Sequence, residues 1–565
     1  MPEPESYSAE ALNNAAVELL GKGQFHAAMA ALQQALDVDP NFAPAYTNLG
    51  ICLRRIGRSD AAIAAYRHSL SLDPSSAQTL FNLGCLLQGQ RDLDAAAQVY
   101  RQCLALDENF VGAFTNLGNV LRDQGLLDEA LACYRRAVEL APNDAQTHSN
   151  LIYLLHFHPG FTAEAIFAEA THYDVTHAAS RFAFQALPDR PRDPNRRLRI
   201  GYVSRLFRTH PMADNFLPLL TRRDRKAFEV FCYGSISHPD GITARLRGLT
   251  DHWRDIAQLS DDQSADIIRA DAIDILVDLG AHMSNNRLPI FARKPAPIQM
   301  TALASMGTTG VRAIDYRISD RHSDPPDFND RWYAEETIRL PDCYFAHEPP
   351  AEALPVQPAP VLSRGWSTFG CLNNFCKVTP QVLELWSRIL RSVSGSHLVL
   401  RCPAGSAQQR VRAAMVAAGV DGSRIAFVDR VLPREAYLAL HHEIDILLDP
   451  FPYSGHTTSV DALWMGVPIV TLEGNTDVGR SGVFLLDGVG MRELIARDTD
   501  EYAHLAIALA SDIQRLAHYR SELRQRLLAS PVLNPVRFAH DVEAAYRTVW
   551  QRWCAATPES QGRSA

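Results

Sequence analysis

The 565 residues are 47% hydrophobic and 21% charged, enough apolar material for several buried cores, which excludes an intrinsically disordered chain. The net charge of −9 excludes nucleic-acid binding through a global basic field. No apolar run approaches the ~18 residues of a membrane span, and the acidic start MPEPESYSAEAL lacks the apolar core of a signal peptide. Ten cysteines without a CxxC pair read as reduced thiols of a cytoplasmic protein.

The chain opens on a repeat. TNLG, FNLG, TNLG and SNLI begin at 47, 81, 115 and 149, each step being 34 residues. Leu32, Tyr66, Tyr100 and Tyr134 keep the same step, as do Pro40, Pro74 and Pro142. Gly23, Gly57 and Gly125 mark a turn, with Arg91 in the remaining slot. A 34-residue period of this pattern belongs to tetratricopeptide repeats, in which helix pairs stack into a solenoid. The solenoid is expected over residues 7–155.

Asn48, Asn82, Asn116 and Asn150 hold one position in every first helix. Their amides suit a ladder that grips the backbone of an extended acceptor peptide. The alternative is that each amide ties neighbouring repeats together; the peptide ladder is the preferred expectation.

Residues 156–196 read as a helical linker ending in a Pro- and Arg-rich connector. His156, His158, His172 and His177 fall there at spacings of no standard zinc motif, so packing or surface roles are expected. From 197 to 348 short β-branched runs alternate with helical stretches: LRIGYVS, FEVFCYGS, DILVDLG, IQMTAL and DYRISD. A Pro-rich hinge is placed at 349–365. The alternation restarts over 366–555 with STFGCLN, SHLVLRCP, RIAFVDR, IDILLDPF and VPIVTLEG, and residues 556–565 form a tail. The fold class is thus a repeat superhelix followed by two doubly wound parallel α/β domains, with ligand expected at the C-terminal ends of the strands.

Two stretches carry the chemistry. In LDPFPYSGHTTSVDALWMGVPIVTL (448–472) a strand runs through a Gly turn into His456, Thr457 and Thr458 at the start of a helix, an anion seat favoured by the helix dipole. Asp461 follows in that helix, where it can accept from ribose hydroxyls or complement the helix N-terminus. In FGCLNNFCKVTP (369–380) the loop after a strand carries Asn373, Asn374 and Lys377; a lysine facing a diphosphate stabilises it as a leaving group. In the first domain His210 follows the first strand. It is read either as a base for an acceptor hydroxyl, losing rate below pH ~6.5, or as a helix cap or phosphate contact. Asp271, Asp274 and His282 surround another strand, with a strand-entry turn as the alternative reading of Asp271.

The order of motifs — the repeats, then RLRIGYVS, HP, FEVFCY, DILVDL, RKPAPIQ, GTTG, DYRISD, LNNFCK and GHTTSVDALWMGVP — resembles the bacterial protein O-linked N-acetylglucosamine transferases over nearly the whole chain. The resemblance implies a GT-B fold and inverting transfer of N-acetylglucosamine from UDP-N-acetylglucosamine to Ser or Thr hydroxyls of acceptor proteins. UDP is the product, and no cofactor, metal, nucleic acid or membrane is involved. It implies His210 or Asp271 as base and Lys377 on the diphosphate. Asn374, Leu432, Pro433, Arg434 and Tyr437 would hold the donor with His456, Thr457, Thr458 and Asp461. Arg434 and Tyr437 depart from the family's lysine and histidine, and Ser305-Met306 from its Tyr-Pro. LNNFCKVTP and FPYSG also resemble the plant SPINDLY proteins, which transfer fucose from GDP-fucose. Fucosyl transfer and a catalytically weak nucleotide-sugar-binding scaffold are therefore the alternatives.

Overall fold

The computed structural model describes residues 7–181, 191–303, 307–349, 354–429 and 432–556. The expectations for Ser305-Met306, for most of the tail and for parts of the linker and hinge lie outside the described residues. The chain forms two compact units, one running to Ala141 and including Pro403–Gln409, the other starting at Pro142.

The first unit is built of α1 (Ala9–Gly21), α2 (Phe25–Val38), α3 (Ala43–Arg55), α4 (Ser59–Leu72), α5 (Ala77–Gly89), α6 (Leu93–Leu106), α7 (Val111–Asp123) and α8 (Leu127–Leu140). The repeated glycine has a steric cause. A Cβ on Gly50, Gly84 or Gly118 would lie 2.5, 2.5 or 2.7 Å from the ring of Tyr66, Tyr100 or Tyr134. In the first repeat the same two positions are Ala16 and Leu32, both buried, so a smaller partner makes room for the extra methyl. The turn glycines Gly23, Gly57 and Gly125 have φ of 72°, 81° and 75°; Arg91 holds the same left-handed conformation at 64°.

The four ladder asparagines are not equivalent. The Asn48 amide donates to Asn13 Oδ1 at 2.8 Å and the Asn116 amide to Cys85 Sγ at 3.3 Å, each reaching the preceding repeat. Asn82 is buried and accepts from Gln78. Asn48 and Asn116 thus tie neighbouring repeats, as the alternative reading has it, whereas Asn82 bonds within its own helix and its Nδ2 is buried without a partner.

The solenoid boundary also moves. The helix carrying the fourth repeat mark, α9 (Ala145–Leu155), is followed by α10 (Ala163–Tyr173) and belongs to the second unit. Ile152 shares a core with Val203, Tyr233, Ile273 and Leu276. The Ser149 hydroxyl lies 3.0 Å from His282 Nδ1, whose Nε2 donates to the Thr309 carbonyl at 2.8 Å. Asn150 is buried there and accepts from Gln146 at 3.1 Å. An apolar face matched to a sheet thus recruits the last repeat-like helix away from the repeats.

In the first lobe the strands are β1 (Leu198–Ser204), β2 (Phe228–Gly234), β3 (His252–Asp255), β4 (Ile275–Asp278), β5 (Ile298–Thr301), β6 (Tyr316–Asp320) and β7 (Glu336–Leu340). In the second they are β8 (Thr368–Cys371), β9 (His397–Arg401), β10 (Ile425–Val428), β11 (Ile446–Leu448), β12 (Ile469–Leu472) and β13 (Ile495–Ala496). The orders are β3-β2-β1-β4-β5-β6-β7 and β10-β9-β8-β11-β12-β13, all neighbours parallel. Strands β3, β7 and β13 were not expected from the sequence. They are edge strands, short or polar (HWRD, ETIRL), and lack the apolar run of a strand covered on both faces. Strand order reverses between β1 and β4 and between β8 and β11, and the loops leaving these pairs open the crevices of the two lobes.

The second domain was expected to run to 555, but its last helix, Pro535–Ala555, returns to the first lobe. The Tyr546 and Tyr202 hydroxyls are 3.1 Å apart, and Arg547 donates to the Arg196 carbonyl at 2.9 Å. In the hinge the Val361 amide donates to Asp445 at 3.0 Å. The lobes also meet through buried charge: Arg317 pairs with Asp324 of its own lobe and, at 2.8 Å, with Asp477 of the other, while the Gly307 amide donates to the same Asp477 oxygen at 2.8 Å.

Candidate active site

The second-lobe crevice is made by the loops after β8 and β11, the strands flanking its topological switch. After β8 the chain turns through Asn373 and Asn374 into a 3-10 turn, Phe375–Lys377, before Thr379 caps the helix Pro380–Ser392. Lys377 is buried. Its Nζ donates to the Ser454 carbonyl at 2.6 Å and lies 3.9 Å from the centre of the Tyr453 ring. Burial brings its pKa down to about 8, opposed by the nearby Asp449 carboxylate. An ammonium held this way keeps its charge at neutral pH while two of its three N–H bonds remain for a ligand.

After β11 comes Asp449, then a loop to Gly455 and His456, which precedes the helix Thr457–Trp464. Asp449 shapes this turn by accepting from the Gly455 amide at 2.6 Å and the Thr471 hydroxyl at 2.8 Å; burial pushes its carboxyl up to about 6. Gly455 is required, because a Cβ there would stand 2.7 Å from Asp449 Oδ1 and overlap Ser459 Oγ. The Thr458 hydroxyl donates to buried Asn373 at 2.9 Å, joining the two loops. His456 packs its ring 4.0 Å from that of Phe345, which reaches in from the segment after β7. Burial, with Lys377 and His347 nearby, lowers its pKa to about 3, so the imidazole is neutral. His456 Nε2 and Ser459 Oγ are buried without a hydrogen-bond partner. Unpaired polar atoms beside a buried ammonium and a helix N-terminus define an anion seat.

One wall of the site comes from Leu432, Pro433 and the short helix Arg434–Ala439. Arg434 makes a bidentate pair with Asp461, at 2.5 and 2.7 Å, and its guanidinium lies 5.8 Å from the Tyr437 ring. The Tyr437 hydroxyl is buried without a partner, and burial raises its pKa well above the usual phenol value. Thus Asp461, Arg434 and Tyr437 come together as one group. Asp461 is held by Arg434 and retains one lone-pair direction per oxygen for a donor such as a ribose hydroxyl.

Two expectations are corrected, Asp271 and the base role of His210. Asn374 is exposed and accepts from Arg401 at 3.0 Å, while its neighbour Asn373 is buried and accepts from Thr458. Asp271 precedes β4, at the end of the sheet opposite the crevice. It pairs with Arg254 at 2.8 Å and accepts from the Tyr233 hydroxyl at 2.9 Å, a structural role. His210 caps α11 (Pro211–Arg222), its Nδ1 accepting from the Met212 amide at 3.1 Å. Burial, Arg205 and Arg208 pull its pKa down to about 4. The neutral ring therefore carries its proton on Nε2 and offers a donor, with no free lone pair for an acceptor's proton. The helix-cap reading stands in place of the base.

Asp449 and Asp214 were missed. Asp449 ends an apolar strand, a signal present in IDILLD. Asp214, on α11, has its carboxyl pushed up to about 6 by burial, moderated by Arg434 of the other lobe. Its helical context gave no such signal.

Two doubly wound lobes, with a buried lysine and a helix N-terminus at the switch of the second, are the architecture of the GT-B class. The model of glycosyl transferase family 41 matches residues 147–350 and 364–542, and tetratricopeptide-repeat models match 9–42, 41–109 and 111–144. The chain belongs to family 41. It is 39% identical over 373 residues to a Petunia hybrida protein named as a probable UDP-N-acetylglucosamine–peptide N-acetylglucosaminyltransferase SPINDLY, covering 65% of this chain and 40% of that one. It is 32% identical over 396 residues to the Arabidopsis thaliana SEC protein of the same enzyme description, covering 67% and 40%. The chain thus spans about two fifths of the length of these curated relatives. A solved structure of a lysine-to-methionine variant of the Thermobaculum terrenum O-GlcNAc transferase aligns with TM-score 0.85 and 36% identity, covering 91% of this chain and 98% of that one.

Proposed function

We propose that the protein transfers N-acetylglucosamine from UDP-N-acetylglucosamine to Ser and Thr hydroxyls of proteins, with inversion at the anomeric carbon. The carrying observation is the Lys377 ammonium beside the unpaired His456 Nε2 and Ser459 Oγ at the N-terminus of the helix Thr457–Trp464. The acceptor oxygen attacks the anomeric carbon as the bond to the diphosphate oxygen breaks. UDP leaves with the bonding electrons, and one proton is released overall. Lys377, the helix N-terminus and the Thr457 hydroxyl stabilise the charge that grows on the diphosphate, while Thr458, donating to Asn373, holds the two loops together; this supply of positive charge is why no metal is assigned to the step. Asp461 and Arg434 hold the ribose end, and Tyr437 offers a ring to the base. His210 donates through Nε2 to substrate at the mouth of the first lobe.

The tetratricopeptide repeats support recognition of acceptor proteins. All ten cysteines are thiols, seven of them buried, which supports a reducing compartment such as the cytoplasm. Among the described residues no helix is long and apolar enough to cross a membrane. The test is to incubate the protein with a lysate and equal UDP-N-acetylglucosamine and GDP-fucose, scoring Ser and Thr adducts by peptide mass spectrometry, with Lys377→Ala as control. An N-acetylhexosamine adduct absent from the control is expected. A deoxyhexose adduct, or none from either donor, overturns the reading.

A further inference from the structure

We propose that His148, Glu169 and His172 bind a divalent transition-metal ion of the zinc class, at a site separate from the donor crevice. The sequence hides this group because its members do not form a zinc motif. The fold assembles it from two neighbouring helices, His148 from α9 and the Glu-x-x-His pair Glu169 and His172 from one face of α10. Glu-x-x-His is a spacing by which a helix directs a carboxylate and an imidazole at one ion.

The geometry is close to that of a coordination shell. His148 Nε2 lies 2.7 Å from Glu169 Oε1, and that oxygen lies 3.5 Å from His172 Nδ1. One ligand atom from each of the three residues falls within 4.8 Å of the others. Ligands about 2.0–2.2 Å from a tetrahedral zinc are about 3.3–3.6 Å apart, so small side-chain adjustments bring all three onto one ion. The exposure is graded: the His148 side chain is 1% accessible, that of Glu169 29% and that of His172 61%. An ion would enter past His172 and keep a water-facing fourth position.

The surroundings favour coordination by His148. Its other nitrogen, Nδ1, is 3.1 Å from His177 Nε2. Without an ion, His148 Nε2–H donates to Glu169 Oε1 at 2.7 Å and Nδ1 accepts from His177. An ion would displace the Nε2 proton, and with His177 in its other tautomer Nδ1–H would donate to it, the arrangement that fixes metal-binding tautomers. His177 reaches this position from a single π-helical turn, Asp174–Ala178, which continues α10; such turns recur at functional sites. Two imidazoles and one carboxylate select zinc, cobalt or nickel over magnesium and calcium, which prefer oxygen alone. A bound ion would cross-link α9 to α10. Because Ser149 of α9 is joined through His282 to the Thr309 carbonyl, the link would stiffen the support of the Gly307–Gly310 loop.

The full chain, stripped with chelator, is titrated with zinc and with cobalt, followed by calorimetry, visible absorption and thermal melting. One equivalent is expected, with cobalt d–d absorption lacking the thiolate charge-transfer band that cysteine ligation would give, and with a higher melting temperature. Glu169→Gln and His172→Ala lie at accessible positions and keep the core; both should bind that equivalent about tenfold more weakly or worse and lose the melting shift. Circular dichroism of each variant confirms that it is folded. Wild-type and variant proteins binding alike, a thiolate band, or no binding to the wild type would overturn the proposal.

Discussion

The repeat unit and the α/β unit fill their structural roles in opposite ways. In the repeats each role recurs: the Gly–Tyr contact is made three times, and where the glycine is absent the partner has changed with it, Ala16 facing Leu32 in place of Gly50 facing Tyr66. In the α/β unit each polar role at the crevice is filled once. One lysine meets the seat, one glycine lets the Asp449 turn close, and one arginine holds Asp461. Redundant positions tolerate change at a modest cost in stability; singular positions fail in function. The difference orders the consequences of substitution.

The largest effect is expected at Lys377. Lys377→Ala should lower kcat by about 10²–10³, the loss typical of removing one group that stabilises developing negative charge, with the melting temperature not reduced, since a buried charge is removed. Retained turnover would break the contrast. A pH profile sharpens it. Burial brings the Lys377 pKa down to about 8 in the donor-free protein, and the protonated form is the active one, so kcat/KM should fall as pH rises through about 8. Lys377→Arg, if it turns over, should lose that fall because guanidinium stays protonated. His210 and His456, held near 4 and 3, are neutral throughout the range and contribute no loss around 6.5.

Arg434→Lys comes next. A lysine cannot reproduce the two parallel hydrogen bonds to Asp461. The KM for the donor should rise about tenfold, the equivalent of losing ~1.4 kcal/mol of charge-assisted bonding, with kcat within about twofold. Steady-state kinetics that show a fall in kcat alone would move Arg434 from binding to chemistry.

In the repeats, Gly84→Ala should cost about 1–3 kcal/mol by overpacking against Tyr100. The double variant Gly84→Ala with Tyr100→Leu, copying the pair already present as Ala16 and Leu32, should recover part of that loss. Chemical denaturation of the two single variants and the double gives the coupling; strict additivity would show that the pair is not a packing unit.

How much was legible in the sequence follows the same division. The repeats could be read against themselves, so the helix pairs, the turn glycines and Arg91 as the odd member were all visible. What self-comparison could not show was where the solenoid ends, because the fourth mark sits on α9, whose Ile152 is claimed by the core of the first lobe. At the crevice, Lys377 and His456–Thr458 were legible because each follows an apolar strand directly. Asn374 and Asn373 were not separable, since only the fold shows that one is exposed and the other buried. Asp271 was misplaced because the sequence puts it beside β4 without saying at which end the crevice opens. His210 was found but its role was not, since that depends on one hydrogen bond to the Met212 amide. The His148, Glu169 and His172 group was invisible because it joins two helices.

The smallest effect tests the repeat side of the contrast with a gain. Arg91 occupies the turn slot that Gly23, Gly57 and Gly125 fill elsewhere, and its φ of 64° places an L side chain in the left-handed region. That conformation costs a non-glycine residue roughly 1–2 kcal/mol, while glycine gives back part of the gain by freeing the unfolded chain. Arg91 is exposed, so little packing is lost with its side chain. Arg91→Gly should therefore stabilise the repeat unit by about 0.5–1 kcal/mol, measurable as a shift in the denaturation midpoint at unchanged slope, and should leave transfer kinetics as they were. A loss of stability would mean that the Arg91 side chain holds the turn by contacts that outweigh its strained backbone, and the repeats would then be less interchangeable than their period implies.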